Sequence, residues 1–261
     1  MKTKTLLRTL ALAGLMIAGG QLTAMGAAEA AAATADAADP FWPADGIFPV
    51  PGKTSSWVGF RAKNVERRTL FAQRKPRDLN GIVFVGDSIF EGWHTFAEDC
   101  AGTGVKLVNR GIGGDTLPNL IYRLEDDVLS LNPRGLVILI GTNDLSEHLA
   151  PELIAGNFQE LHRRIRARYP ELPIAWCYVM PRRGEDNYPE LVRELNRRMS
   201  AMVASDPRST VCDTFTPLAL PDGSSKPECF LSDRLHPNAA GFAALKEAIY
   251  PVLVGWNLAQ P

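Results

Sequence analysis

From about residue 80 onward the chain alternates short apolar runs with longer segments whose apolar positions recur every three or four residues. The runs fall at 82–86, 105–109, 135–141, 173–180 and 209–213. Ile82-Val83-Phe84-Val85 is continuous rather than alternating, as expected of a strand covered on both faces. Segments 89–100, 117–131, 152–169, 187–204 and 238–253 read as helices, and 58–74, with Phe60, Val65, Leu70 and Phe71 set among charges, reads as a helix ahead of the first strand. Strands separated by helices imply βαβ units and a parallel sheet. The expected fold class is therefore α/β, a three-layer α/β/α sandwich around a five-stranded parallel sheet. Right-handed crossovers leave few topologies, and in such sheets ligands sit beyond the carboxyl ends of the strands.

The amino-terminal region follows a different pattern. Lys2, Lys4 and Arg8 precede an apolar stretch from Leu10 to Ala18, and small residues follow, with Ala28-Glu29-Ala30 an acceptable cleavage site. This layout predicts a secretory signal over 1–30 and a secreted or periplasmic protein. The apolar stretch is well short of the about 20 residues that a membrane-spanning helix needs. Residues 31–57 are expected to form a linker and an irregular segment, since 40–57 hold six prolines or glycines besides Trp42 and Trp57. Residues 58–261 then form the globular domain, with no internal repeat and nothing marking a second one.

Composition narrows the function classes. A net charge of −1 gives no electrostatic reason for a nucleic-acid partner, and 46% hydrophobic with 22% charged residues is ordinary for a soluble globular chain. The histidines His94, His148, His162 and His236 are scattered without metal-ligand spacing, no Cys-x-x-Cys occurs, and no glycine-lysine phosphate loop follows a strand, so neither metal nor cofactor is expected. Cys100, Cys177, Cys212 and Cys229 leave their pairing open, and nothing in the sequence sets the oligomeric state.

The polar oddities fall where an α/β ligand site should lie. The first run ends in Gly86-Asp87-Ser88, the second leads into RGIGGDT (110–116), the third ends in GTND (141–144), and the long loop after the fifth holds SDRLHPNAAG (232–241). A serine hydroxyl attacks an ester only when a base takes its proton, and an imidazole needs a partner on its far nitrogen to fix its tautomer. Asp233 and His236, three apart on one tight turn, can supply base and partner. The oxyanion that forms needs preorganised donors, and the N–H groups of Ser88 and Gly114 with the side-chain amide of Asn143 offer three. Each motif alone is also a turn or a helix cap; their common position after strands favours a catalytic reading, with Ser88 as nucleophile.

These four blocks, in this order across residues 80–241, resemble those of the SGNH (GDSL-type) hydrolases. NRGIGGDT followed by GTND is similar to the branch that contains platelet-activating-factor acetylhydrolase catalytic subunits and bacterial carbohydrate esterases. The resemblance implies a flavodoxin-like fold, a Ser88-His236-Asp233 triad and an oxyanion hole from Ser88, Gly114 and Asn143. An α/β-hydrolase is disfavoured, because its G-x-S-x-G elbow would need glycine where Phe90 stands. A small acyl ester on a carbohydrate is the expected substrate; a lysophospholipid or short-chain lipid ester, or a non-catalytic glycan-binding role built on Trp42, Trp57 and Trp93, are the alternatives. Candidate substrate contacts at the rim are Asp87, Phe90, Trp93, Leu145, Arg182 and Arg183.

Overall fold

The structure is a computed structural model that describes residues 41–184 and 188–258. The expected export signal and the first part of the expected linker lie outside the described residues. Strands β1 (Ile82–Gly86), β2 (Leu107–Gly111), β3 (Gly135–Leu139), β4 (Ile174–Cys177) and β5 (Ser209–Cys212) form one parallel sheet in the order β2-β1-β3-β4-β5. This is the flavodoxin-like order. The two neighbouring strands β1 and β3 are buried at every position, which is why their sequences run apolar without alternation.

Helices α1 (Phe60–Asp78), α2 (Ser88–Gly92), α3 (Phe96–Asp99), α4 (Leu117–Asp127), α5 (Thr142–Ser146), α6 (Pro151–Arg168), α7 (Tyr188–Val203) and α8 (Ala239–Gly255) surround the sheet. Successive strand residues point to opposite faces, and two cores follow. Val83, Val85, Leu136 and Ile138 pack against Leu120 of α4, Phe158 of α6 and Leu195 of α7. Ile82, Phe84, Val137 and Leu139 pack against Ile89 and Phe90 of α2 and Leu245 and Ile249 of α8. The three-layer sandwich is thus formed as expected. Helix α1 lies along edge strand β2: Arg67 Nε donates to the Gly111 carbonyl at 3.1 Å, and the Arg110 guanidinium sits 4.5 Å from the Phe71 ring centroid. Such cover shields an edge that would otherwise offer unpaired backbone groups.

Three local differences from the pattern have clear causes. The helix expected over 89–100 is two short helices parted at Trp93, whose buried indole stacks on Phe242 of α8 and donates to Asp99 at 2.6 Å. The apolar run to residue 180 stops pairing at Cys177, and beyond it the Asn196 side chain takes both backbone bonds of Val179, at 2.8 and 2.9 Å, in place of a neighbouring strand. Residues 142–146, read as loop, form the short helix α5 after Gly141, whose φ of 115° is open to glycine. All four cysteines are free thiols.

Residues 41–59 have no regular structure but are bound to the domain. Trp42 meets Phe48 and Phe60 edge-on at 5.2 and 6.0 Å, the Asn157 amide donates to the Pro51 carbonyl at 2.8 Å, and the Ser56 N–H donates to Glu147 Oε1 at 2.6 Å.

Candidate active site

The chain leaves β1 toward β2 and crosses back to β3, so the loops after β1 and β3 part and open a crevice at the carboxyl edge. The first of these loops carries Ser88. Only glycine fits at the end of β1, since a β-carbon on Gly86 would stand 2.0 Å from the Leu139 carbonyl oxygen. Asp87 then turns the chain, its Oδ1 accepting the Ile89 N–H at 2.9 Å, and Ser88 becomes the first residue of α2.

The loop before α8 delivers the partner. Ser88 Oγ lies 2.9 Å from His236 Nε2, and His236 Nδ1 lies 2.6 Å from Asp233 Oδ2. The other carboxylate oxygen, Oδ1, accepts the N–H groups of Leu235 and His236, each at 3.0 Å, which locks the turn. Within it Arg234 takes a left-handed φ of 58°, held by bonds between its side chain and Ser225 and by Ser225 Oγ donating to its carbonyl at 3.0 Å. Burial pushes the Asp233 carboxyl up, but the hydrogen bonds from the imidazole and the two N–H groups outweigh it and bring its pKa down to about 2. Asp233 is therefore a carboxylate near neutral pH, suited to orient the imidazole and balance its charge.

The loop after β2 brings Gly113 and Gly114 to the serine. A β-carbon at Gly113 would be 3.8 Å from Ser88 Cβ, and Gly114 has a φ of 82°. The Gly113 N–H is taken by Glu91 Oε2 at 2.5 Å, whereas those of Ser88 and Gly114 have no partner among the described residues. Asn143, in α5, donates from Nδ2 to the Asp115 carbonyl at 2.9 Å. A carbonyl only accepts, so the amide's NH₂ must face it, and its second hydrogen is left for another acceptor. The arrangement can deprotonate the Ser88 hydroxyl, and it leaves the N–H groups of Ser88 and Gly114 and one Asn143 amide hydrogen without an acceptor among the described residues.

Behind this surface lies a support that the sequence reading missed. Asp115, fully buried, accepts from Arg123 Nη2 at 2.7 Å, Arg123 Nε at 2.9 Å and Asn119 Nδ2 at 2.5 Å. Arg123 also donates to the Arg110 carbonyl at 2.9 Å and the Gly86 carbonyl at 3.3 Å, so one guanidinium ties the ends of β1 and β2 to the glycine loop. Asp115, Asn119 and Arg123 recur every four residues, a spacing that puts them on one helical side and was the available signal. Asp144, also buried, accepts the Leu117 N–H at 3.1 Å; desolvation raises its pKa to about 8 and that of Asp87 to about 7.

The expected rim is largely corrected. Phe90, Trp93 and Leu145 are 0%, 0% and 1% exposed and belong to the cores, because the α8 and α7 sides of the sandwich close over them. Arg182 is a brace: its Nη1 donates to the Thr142 carbonyl at 2.9 Å and Ser146 Oγ at 2.8 Å, and its guanidinium lies 4.0 Å from the Tyr188 ring centroid. Arg183 is exposed. Asp87 is buried but lines a small cavity beside Ser88, together with Ile89, Thr142, Val179, Met180 and Leu235, with about 10 Å³ of free space. Among the tryptophans, Trp93 is buried, Trp42 half-buried and Trp57 53% exposed.

Residues 84–244 match the profile of the GDSL-like lipase/acylhydrolase family. The chain is 27% identical over 183 residues to the alpha1 subunit of platelet-activating factor acetylhydrolase IB from Bos taurus, covering 66% of this chain and 75% of that protein. Its fold is shared with a GDSL-like lipase from Bacteroides thetaiotaomicron (TM-score 0.58, 23% identity, 74% and 96% of the two chains). It is also shared with an acetylxylan esterase from Geobacillus stearothermophilus (TM-score 0.55, 20% identity, 67% and 96%).

Proposed function

This chain belongs to the GDSL-like lipase/acylhydrolase family and is a carboxylic ester hydrolase; on that premise we propose that it is an exported serine esterase removing small acyl groups, acetyl above all, from carbohydrate esters. The contacts of 2.9 and 2.6 Å that line up Ser88, His236 and Asp233 carry the reading. As Ser88 Oγ attacks the ester carbonyl carbon, His236 Nε2 takes the hydroxyl proton and Asp233 balances the imidazolium. The carbonyl oxygen, now anionic, accepts from the N–H groups of Ser88 and Gly114 and from the Asn143 amide. The tetrahedral centre collapses, the alcohol leaves with the proton from His236, and the acyl group stays on Ser88. A water activated by the same imidazole then releases the acid and restores the serine.

A small cavity lined by Asp87 and Ile89, the chain neighbours of Ser88, and by Leu235, the neighbour of His236, supports a short acyl group. Its free space of about 10 Å³ corresponds to about one water-sized probe. Two of the similar proteins are named for acetyl removal, from platelet-activating factor and from xylan. The first of these supports a short-chain lipid ester as a second reading. Export rests on the Lys2-Lys4-Arg8 start and the apolar stretch behind it. A fluorophosphonate probe should label the chain at Ser88, and p-nitrophenyl esters should be cleaved with rates that fall steeply beyond acetyl and propionyl. Acetylated xylan and O-acetylated sialic acid then test the alcohol side. Labelling at another residue, or a preference for long acyl chains, would refute the assignment.

A further inference from the structure

Residues 41–59 lie before the segment that matches the family, yet they pass the candidate oxyanion loop. Trp57 ends that passage. Its indole rests on two glycines: a β-carbon at Gly59 would be 2.5 Å from Cζ2, and one at Gly114 would be 3.3 Å from Cε3. The backbone beneath is held, with the Trp57 N–H donating to Ser55 Oγ at 3.2 Å and the Trp57 carbonyl accepting the Phe60 N–H at 2.9 Å. Trp57 is 53% exposed, and it is the one Phe, Tyr or Trp more than half exposed among the described residues. A single exposed apolar residue needs no explanation in general. This one adjoins Gly114, the chain neighbour of Gly113, whose β-carbon would stand 3.8 Å from Ser88 Cβ.

Beside the indole stand the fully exposed Val58 and, toward Ser88, polar groups. Ser55 Oγ would lie 3.4 Å from a β-carbon on Gly114, and Lys63 and Glu91, an ion pair at 3.7 Å, flank Gly113. An acyl chain would need a continuous apolar wall, whereas a flat aromatic face among hydroxyl and charged groups matches a sugar ring, with its C–H face on the indole and its hydroxyls on the neighbours. We propose that Trp57 is the stacking platform of a subsite for the alcohol part of the ester, a pyranose ring. The subsite rests on the assignment of Ser88 made above.

The test uses the full chain and three acetyl esters: ethyl acetate, an acetylated methyl xylopyranoside and decyl acetate. Trp57→Ala should raise the KM for the acetylated pyranoside about tenfold more than the KM for ethyl acetate, the size of one aromatic contact. The kcat for the pyranoside should change little, and Trp57→Phe should recover most of the loss. In a Ser88→Ala background, tryptophan fluorescence should titrate to saturation with the same pyranoside ester, and adding Trp57→Ala should abolish the change. Equal KM changes on all three esters, a larger change on decyl acetate, or no binding by Ser88→Ala would each overturn the subsite. Retained turnover in Ser88→Ala would instead overturn the assignment of the nucleophile, while the KM ratios still report on Trp57.

Discussion

Replacing Asn143 by alanine separates a structural from a catalytic role, because the two losses differ in size. The side chain makes one bond, from Nδ2 to the Asp115 carbonyl at 2.9 Å, while its backbone carbonyl accepts the Glu147 N–H at 3.0 Å and is untouched by the change. Losing one neutral, partly buried hydrogen bond costs about 1 kcal/mol, and alanine's better helix propensity in α5 returns about half of that. Melting should therefore fall by no more than about 2–4 °C in a domain of this size. Losing a donor to a developing oxyanion is a larger effect, about 2.7–4 kcal/mol, or 10²–10³ in kcat, with KM little changed because the bond strengthens as charge forms. Asn143→Asp should be at least as slow, since a carboxylate cannot donate to the Asp115 carbonyl and repels the oxyanion. Steady-state hydrolysis of p-nitrophenyl acetate and calorimetric melting of both variants give the comparison. A lowered melting temperature with wild-type kcat in Asn143→Ala would refute the donor role and leave two backbone N–H groups to meet the anion.

Ser88→Ala should abolish hydrolysis and fluorophosphonate labelling with an unchanged circular dichroism spectrum; His236→Ala should be nearly as severe, and Asp233→Asn milder or comparable, because a hydrogen bond to the imidazole remains while its charge is gone. Arg123→Met should destabilise the fold by about 3–5 kcal/mol in denaturant titration, since it removes the guanidinium paired with Asp115 at 0% exposure; adding Asp115→Asn should restore part of the loss, and strictly additive effects would show the pair to be uncoupled. Asp144 binds its proton with a pKa of about 8 in the fold because burial disfavours the charge, against an ordinary aspartate value of 3.8, so between about pH 4 and 8 the folded state holds more protons and stability from this group is lost as pH rises. The melting temperature of Asp144→Asn relative to wild type should therefore climb across that window, and a constant difference from pH 4 to 8 would refute the buried, protonated carboxyl.

Much of the molecule was legible because its signals are local and periodic. An unbroken run rich in β-branched residues, such as Ile82–Val85, suits a strand with both faces covered, and five such runs parted by helical periodicity allow little besides a parallel sheet between helical layers. The motifs at the strand ends were legible for a related reason: Gly86 must lack a side chain beside the Leu139 carbonyl, and Asp233 reaches His236 across a turn of three residues. Which side chains are buried beneath the site is a property of contacts made far along the chain. Trp93 and Phe90 read as rim residues beside Ser88, yet α8, from the other end of the domain, closes over them. Trp42, Trp57 and Trp93 read alike as stacking candidates, yet of the three only Trp57 is left more than half exposed, next to Gly114. Arg123 was missed in the sequence, yet the fold removes it from water and aims it at Asp115 and two strand-end carbonyls. Periodicity fixes which side of an element turns inward; only the packed neighbours decide whether that side meets apolar carbon, a buried carboxylate or solvent, and it is this choice that sets the role of each residue around the serine.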